Sequence, residues 1–140
     1  MDPELVVMVG IQGSGKTTWV AANLAATHAV VSKDHWPHAR DREALQRVLV
    51  SQLLTAGRSV VVDNTSPSPA DRAALVSIGH ARGATVRAVF LDTPFPVCLA
   101  RNAARPGRAR VPVAGMLATR SRLVPPATAE GFDQVDIVRT

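Results

Sequence analysis

The sequence has few of the features that mark secreted or membrane proteins. Of its 140 residues only Cys98 is a cysteine, so no internal disulfide can form and a disulfide-built secreted scaffold is excluded. The apolar runs at Leu5–Val9 and Val86–Leu91 are far shorter than the ~20 residues of a membrane helix. The first residues, Met-Asp-Pro-Glu, are acidic where a secretory signal would be basic. We therefore expect a cytoplasmic protein that has no membrane segment.

Lysine is scarce, and acidic residues are missing from one long segment. The chain has 14 arginines but only two lysines, and its net charge is +5. Between Asp92 and Glu130 there is no acidic residue. Six arginines lie in that interval, at positions Arg101, Arg105, Arg108, Arg110, Arg120 and Arg122. The pattern indicates contact with a polyanion, either nucleotide phosphates or a nucleic-acid backbone or both, and a solvated arginine-rich surface is the alternative.

The rest of the composition is that of one globular domain, which we place at residues 1–140. Hydrophobic residues make up 46% and charged residues 19%, which argues against intrinsic disorder. The predicted strands are Glu4–Val9, Ala29–Ser32, Ser59–Asp63, Ala84–Asp92 and Phe132–Val138. The predicted helices are Thr17–Ala26, Arg40–Ala56, Ser68–Arg82, Phe95–Ala104 and Pro112–Leu123. Strands that alternate with helices predict an α/β fold, with a parallel sheet of about five strands and helices on both faces.

A glycine-rich segment follows the first predicted strand and opens the first helix. Residues 10–17, G-I-Q-G-S-G-K-T, match the Walker A pattern G-x-x-x-x-G-K-[ST] in full. Its glycines let backbone amides turn towards phosphates, Lys16 would bridge the β- and γ-phosphates, and the Thr17 hydroxyl would bind Mg²⁺. The predicted nucleotide-binding residues are Gly13, Ser14, Gly15, Lys16, Thr17 and Thr18. We call residues 10–17 the P-loop and expect a P-loop NTPase-type sheet that uses ATP and Mg²⁺.

Nucleotide binding alone does not define the reaction. A switch GTPase needs a guanine-reading Asn-Lys-x-Asp, and none of the three asparagines is followed by lysine. A large oligomeric ATPase usually needs a longer chain, so a kinase-type phosphotransferase fits the size best. A kinase needs a carboxylate that holds the acceptor hydroxyl in line with the γ-phosphorus. Because the crevice of an open parallel sheet lies at the carboxyl ends of its strands, the candidates are Asp34, Asp63 and Asp92.

Segments at and after these strand ends resemble the 5′-polynucleotide kinases. They are V-S-K-D at 31–34, D-N-T-S-P at 63–67, L-A-R-N-A-A-R at 99–105 with R-V-P-V at 110–113, and P-A-T-A-E-G-F at 126–132. The first of them follows G-S-G-K-T-T-W at a spacing similar to that of the family. The resemblance runs from Leu5 to Val138 and covers only the kinase half of the two-function enzymes.

The resemblance implies a role for each residue at these positions. Asp34 would be the general base that receives the proton of a 5′-hydroxyl, and its alternative role is to cap the next helix. Asp63 would bind Mg²⁺ through water, and an Asx turn is its alternative. Arg101 and Arg105, four residues apart and so on one face of a helix, would clamp the transferring phosphoryl group. They would belong to an arginine-bearing lid over roughly residues 101–112.

The predicted acceptor-binding residues are Lys33, Trp36, Arg40 and Asn64. Lys33 stands where the family often has arginine, and Pro37 stands where it often has the arginine that binds the acceptor's phosphate. Trp36 would stack on the terminal base or pack against the following helix. Trp19, in the helix that follows the P-loop, is predicted to lie in the core.

These observations favour an ATP- and Mg²⁺-dependent kinase that phosphorylates the 5′-hydroxyl ends of DNA or RNA during end repair. DNA or RNA ends would then be its partners. One alternative is a small-molecule or toxin-type kinase on the same scaffold. Another is a nucleotide-binding module without transfer activity. An open approach to Asp34 would favour a polynucleotide, and a closed pocket would favour a small acceptor.

Overall fold

A computed structural model describes residues 2–139 as one parallel sheet with flanking helices. The strands are β1 (Glu4–Val9), β2 (Ala29–Val31), β3 (Val60–Val62), β4 (Thr85–Asp92) and β5 (Gln134–Arg139). They lie in the order β2-β3-β1-β4-β5, and all neighbouring strands are parallel. Met1 and Thr140, the two ends of the predicted domain, lie outside the described residues.

Five α-helices connect the strands or follow them. They are α1 (Lys16–Asn23), α2 (Arg42–Thr55), α3 (Pro69–Ala81), α4 (Phe95–Ala103) and α5 (Val113–Arg122). Short 3₁₀ helices occupy Lys33–His35, Gly107–Ala109 and Thr128–Glu130. The predicted α/β fold with a five-stranded parallel sheet is thereby confirmed. None of the helices within residues 2–139 has the length and apolar character needed to cross a membrane.

The central strand β1 is buried on both sides of the sheet. Leu5 and Val7 pack in one apolar cluster with side chains of α2 and α3, whereas Val6 and Met8 pack in a second cluster with side chains of α1. All four side chains are fully buried. Helices on both faces therefore explain why the strand is continuously apolar and does not alternate with polar residues.

A third apolar cluster joins α4 and α5 to the P-loop. It is built from the buried side chains of Ile11, Cys98 and Met116. The buried Asn102 side chain fixes the segment between the two helices, because its amide nitrogen donates to the Val111 carbonyl (2.7 Å) and its oxygen accepts from the Val111 amide (2.9 Å). The predicted lid segment, residues 101–112, thus begins inside α4. The hydrogen bonds between Asn102 and Val111 join its two ends.

Most helix boundaries differ from the sequence prediction by one to three residues, and the largest difference is at the end of α1, which stops at Asn23 and not at Ala26. Helix α2 begins at Arg42 because the Asp41 carboxylate accepts a hydrogen bond from the Ala44 amide (3.0 Å) and caps the helix there. Arg40 therefore lies before the helix and is exposed. Helix α4 ends at Ala103, so Arg105 lies just beyond it.

Candidate active site

The P-loop turns between β1 and α1 in conformations that favour glycine. Gly13 and Gly15 have positive φ angles of 80° and 99°. A Cβ atom on Gly13 would collide with the carbonyl oxygen of Cys98, so α4 packs directly on the loop. The Ser14 hydroxyl is buried and has no hydrogen-bond partner among residues 2–139. A glycine-lined loop with an unpartnered hydroxyl at a helix N-terminus fits the phosphates of a nucleotide.

Lys16 lies over the P-loop with its ammonium held by backbone oxygens. Its Nζ donates to the carbonyls of Gly10 (2.9 Å) and Ile11 (3.0 Å). Burial lowers the pKa of the Lys16 ammonium from its ordinary value to about 8. The positioned but partly desolvated cation suits a partner that brings negative charge, such as a phosphate.

Three charged side chains from different elements act on Lys16. Burial is the largest influence on the pKa of Lys16. Among the charged side chains Asp63 raises this pKa most, Arg105 lowers it, and Asp34 raises it least. Asp63 follows β3, Asp34 follows β2 and Arg105 follows α4. The chain therefore brings two carboxylates and a guanidinium from three elements within electrostatic range of one ammonium.

Thr17 and Asp63 form a hydroxyl–carboxylate pair beside Lys16. The Thr17 hydroxyl donates to Oδ2 of Asp63 over 2.8 Å. Mg²⁺ prefers oxygen ligands and, with a nucleotide, takes few of them from the protein. The pair therefore fits Mg²⁺ bound together with nucleotide phosphates. Residues 2–139 contain no group of three or more His, Cys, Asp or Glu side chains that could hold a metal ion.

Asp34 lies in an open position at the end of β2. It belongs to the 3₁₀ helix Lys33–His35, and its backbone amide donates to the hydroxyl of Ser32 (3.2 Å), which starts that turn. Its side chain is exposed. The capping oxygen here is that of Ser32, so the Asp34 carboxylate is presented to solvent at the same sheet edge as the P-loop.

The four predicted acceptor-binding residues do not all come together. Asn64 accepts from the Lys33 amide (3.1 Å) and donates to Gln46 (2.7 Å), and Lys33 also pairs with Glu43. A polar cavity of about 200 Å³ next to Asp34's turn is lined by these residues. Its further lining residues are Thr65, Ser66, Pro67, Asp71, Leu75 and Arg122.

The other two candidates lie outside this cavity. Trp36 is partly buried against the apolar cluster under α2 and α3, which is the packing alternative from the sequence. Arg40 is exposed before α2. Asp34 itself is also not among the residues that line the cavity.

Arg101 and Arg105 face the P-loop together. Arg101 donates to the carbonyls of Ser14 (3.2 Å) and Gly13 (3.4 Å). Although Arg105 lies past the end of α4, both arginines line one cavity of about 620 Å³ together with the P-loop. Two guanidiniums therefore lie beside the P-loop, where the phosphates of a nucleotide would bind.

Sequence reasoning missed some residues that shape the site. Trp19, predicted as core, also lines the 620 Å³ cavity. Gln12 of the P-loop donates to Thr119 of α5 (3.1 Å), which ties the loop to the helix after the lid segment. No local pattern indicates that Trp19 reaches the cavity or that Gln12 pairs with Thr119.

These features define a P-loop nucleotide-binding domain with a lysine, a hydroxyl–carboxylate pair and paired arginines around one loop. A family model described as an AAA domain matches residues 5–126, and the chain belongs to that family. A P-loop fold of this kind implies the use of ATP and, typically, Mg²⁺.

Three solved structures illustrate the shared fold. A gluconokinase from Sinorhizobium meliloti 1021 is 21% identical with a TM-score of 0.69, over 98% of this chain and 82% of that one. A chain of the Pnkp1/Rnl/Hen1 RNA repair complex is 20% identical with a TM-score of 0.75, over 94% of this chain and 47% of that one. A fungal RNA kinase is 18% identical with a TM-score of 0.72, over 99% of this chain and 38% of that one. The chain therefore spans less than half of the two RNA-related chains, and at these identities the likeness is one of fold.

Proposed function

We propose that this chain is an ATP-dependent polynucleotide 5′-hydroxyl kinase that transfers the γ-phosphate of ATP to the 5′-hydroxyl end of DNA or RNA during end repair. The observation that carries the proposal is the position of Asp34. Its carboxylate is exposed at the end of β2, acts electrostatically on Lys16, and lines neither of the two cavities described above. Small acceptors are usually enclosed by a pocket. An open carboxylate is accessible to the end of a long strand.

In this proposal each residue acts on a defined part of the reaction. Lys16 binds the β- and γ-phosphates, and Thr17 with Asp63 holds Mg²⁺, which supplies charge neutralisation at the phosphates. Asp34 accepts a hydrogen bond from the 5′-hydroxyl and aligns it with the γ-phosphorus. A bond forms between the 5′-oxygen and phosphorus, the bond to the ADP oxygen breaks, and the proton passes to Asp34.

The arginines of the lid segment support the same proposal. Arg101 and Arg105 face the P-loop cavity and would stabilise the charge of the transferring phosphoryl group. Arg108 and Arg110 are exposed. Since no acidic residue lies between Asp92 and Glu130, this side of the site is favourable for a strand of phosphates.

A small-molecule kinase is the second candidate, and the 200 Å³ polar cavity favours it. The cavity lies beside the turn that carries Asp34 and has charged groups of both signs, Lys33 and Glu43. A hydroxylated small acceptor of matching size would find hydrogen-bonding partners there.

A phosphate-transfer assay with matched acceptors separates the two candidates. The chain is incubated with Mg²⁺ and γ-phosphate-labelled ATP, together with a DNA or RNA oligonucleotide bearing a 5′-hydroxyl. The same oligonucleotide with a 5′-phosphate, a mononucleotide and gluconate serve as parallel acceptors. We expect label only on the 5′-hydroxyl strands. Equal or greater transfer to the mononucleotide or gluconate would overturn the polynucleotide assignment and support the second candidate.

A further inference from the structure

One wall of the 620 Å³ cavity is a single face of helix α1. The cavity-lining residues Gly15, Thr18, Trp19, Ala22 and Asn23 recur at the i, i+3, i+4, i+7 and i+8 spacing that places side chains on one side of a helix. The other lining residues are Gly13, Ser14, Leu91, Arg101 and Arg105. The cavity is thus a groove between α1 and the start of the lid segment.

This groove continues from the phosphate-binding loop along the helix. Gly13 and Ser14 of the P-loop line one part of it, and Asn23 at the end of α1 lines another. From Thr18 to Asn23 the helix rises about 7.5 Å. The groove has a volume of about 620 Å³, which lies in the usual range for small-molecule sites. A nucleotide whose phosphates bind the P-loop therefore has room for its nucleoside along α1.

Trp19 is the aromatic side chain of this wall. It is partly buried and packs against the apolar cluster that contains Leu91 and Val20, while another part of it lines the groove. Packing on the core holds the indole in place, and the small side chain of Ala22 lines the same groove. The Asn23 side-chain amide nitrogen donates to the Trp19 carbonyl (2.9 Å). An aromatic surface is therefore the main feature that this wall offers to a base.

We propose that Trp19 is the stacking platform for the base of the donor nucleotide, and that this subsite prefers purine to pyrimidine nucleotides. Stacking needs only the face of a base, and the larger purine ring system covers more of an indole than a pyrimidine does. Arg101 also lines the groove, at its P-loop end, and adds a planar cation there. The inference rests on the donor half of the proposed function and not on the acceptor.

The first test uses the protein with its P-loop helix unchanged. The sequence contains only two tryptophans and no tyrosine, so a Trp36→Phe variant has Trp19 as its only tryptophan. ADP, GDP, CDP and inorganic tripolyphosphate are titrated in the presence of Mg²⁺ while indole emission is recorded. We expect saturable changes in emission with ADP and GDP, weaker binding of CDP, and no comparable change with tripolyphosphate. An identical response to tripolyphosphate and ADP, or equal affinity for CDP and ADP, would overturn the proposal.

The second test measures affinity by calorimetry in variants at position 19. Trp19→Leu keeps an apolar side chain against Leu91 but removes the aromatic face, and Trp19→Phe keeps a smaller aromatic face. We expect Trp19→Leu to bind ADP at least about fivefold more weakly, with unchanged affinity for tripolyphosphate and partial recovery in Trp19→Phe. Unchanged ADP affinity in a folded Trp19→Leu protein contradicts the inference. This calorimetry measures nucleotide binding without any acceptor. Its result would therefore remain valid even if the kinase assay detected no transfer to an oligonucleotide.

Discussion

Arg72 and Glu130 form a bidentate ion pair inside the protein. Nε and Nη2 of the fully buried Arg72 donate to the two carboxylate oxygens of Glu130 over 2.8 and 2.9 Å. The remaining Nη1 donates to the carbonyl of Ser66 (2.9 Å), the one non-glycine residue of 2–139 with positive φ. The neighbouring Thr65 carbonyl accepts from the amide of Gly10 (3.0 Å). A single arginine therefore links the C-terminal segment to the loop that contacts the P-loop.

Removing the Arg72 side chain should strongly destabilise the fold. Arg72→Met leaves the Glu130 carboxylate and the Ser66 carbonyl without their partner, and breaking a buried ion pair costs about 3–5 kcal/mol of unfolding free energy. Arg122→Met is the matched control, because Arg122 pairs with Asp71 at an exposed position and should lose less than about 1 kcal/mol. Urea denaturation measures both. Equal losses in the two variants would contradict the structural role given to Arg72.

The lowered pKa of Lys16 predicts how nucleotide affinity depends on pH. In the free protein the ammonium loses its proton as the pH rises through about 8, whereas bound phosphates favour the charged form. Affinity for ADP should therefore be constant from neutral pH to about 8 and then fall by up to about tenfold per pH unit. Calorimetric titrations across this range measure the effect.

Lys16→Arg is the control for this pH dependence. The guanidinium stays protonated over the whole range, so whatever affinity the variant retains should not decrease above pH 8. The unmodified protein is measured in the same way. If its ADP affinity stayed constant from neutral pH to about two pH units above it, Lys16 would not be the titrating group.

The fold and the centre of the site were predictable because their signals are local. The P-loop pattern and the strands around it predict Lys16 and Thr17, and parallel strand ends predict that Asp34 and Asp63 approach them. Trp19 could not be assigned, because a tryptophan that packs on the core and one that also lines a groove have the same helical spacing.

Other features depend on contacts between distant parts of the chain. Arg72 and Glu130 are 58 positions apart, and no periodicity marks an arginine as buried. Side chains whose role depends on one distant partner were therefore the ones that sequence patterns missed.

Asp34→Asn should separate catalysis from nucleotide binding. The amide keeps the size of the side chain but cannot receive the proton, so kcat should fall by about 10²–10⁴-fold. ADP affinity at neutral pH should change little, because Asp34 lines neither cavity and has the smallest influence of the three charged side chains on the pKa of Lys16. Lys16→Ala, in contrast, should lose both transfer and nucleotide affinity. Substantial kinase activity in Asp34→Asn would show that another group aligns the acceptor hydroxyl.

Asp63→Asn should weaken the response to Mg²⁺. The Asp63 carboxylate accepts from the Thr17 hydroxyl, and loss of its charge should raise the Mg²⁺ concentration needed for half-maximal activity by about 10- to 100-fold. Thr17→Ser keeps the hydroxyl, so its half-maximal Mg²⁺ concentration should stay close to that of the unmodified protein. In Thr17→Val this concentration should rise as it does in Asp63→Asn. Mg²⁺ titrations at saturating ATP give these values. A Thr17→Val variant with parent-like Mg²⁺ dependence would exclude Thr17 as a ligand.

The last prediction distinguishes the two groups of cations around the site. Arg101 and Arg105 face the P-loop cavity, so their contact should strengthen as charge develops on the transferring phosphoryl group. Their alanine variants should lose about 10²-fold or more in kcat, with little change in KM for a 5′-hydroxyl oligonucleotide.

Lys33→Ala and Arg40→Ala are the comparison, because the sequence predicts that these two residues bind the acceptor. Loss of a cation that contacts only the strand's phosphates should raise KM and reduce the salt dependence of binding by roughly one unit of slope. Steady-state kinetics at several salt concentrations separate the two patterns. If Arg101→Ala and Arg105→Ala raised only KM, these arginines would bind the strand, and the stabilisation of the transferring group would have to come from Lys16 and Mg²⁺ alone.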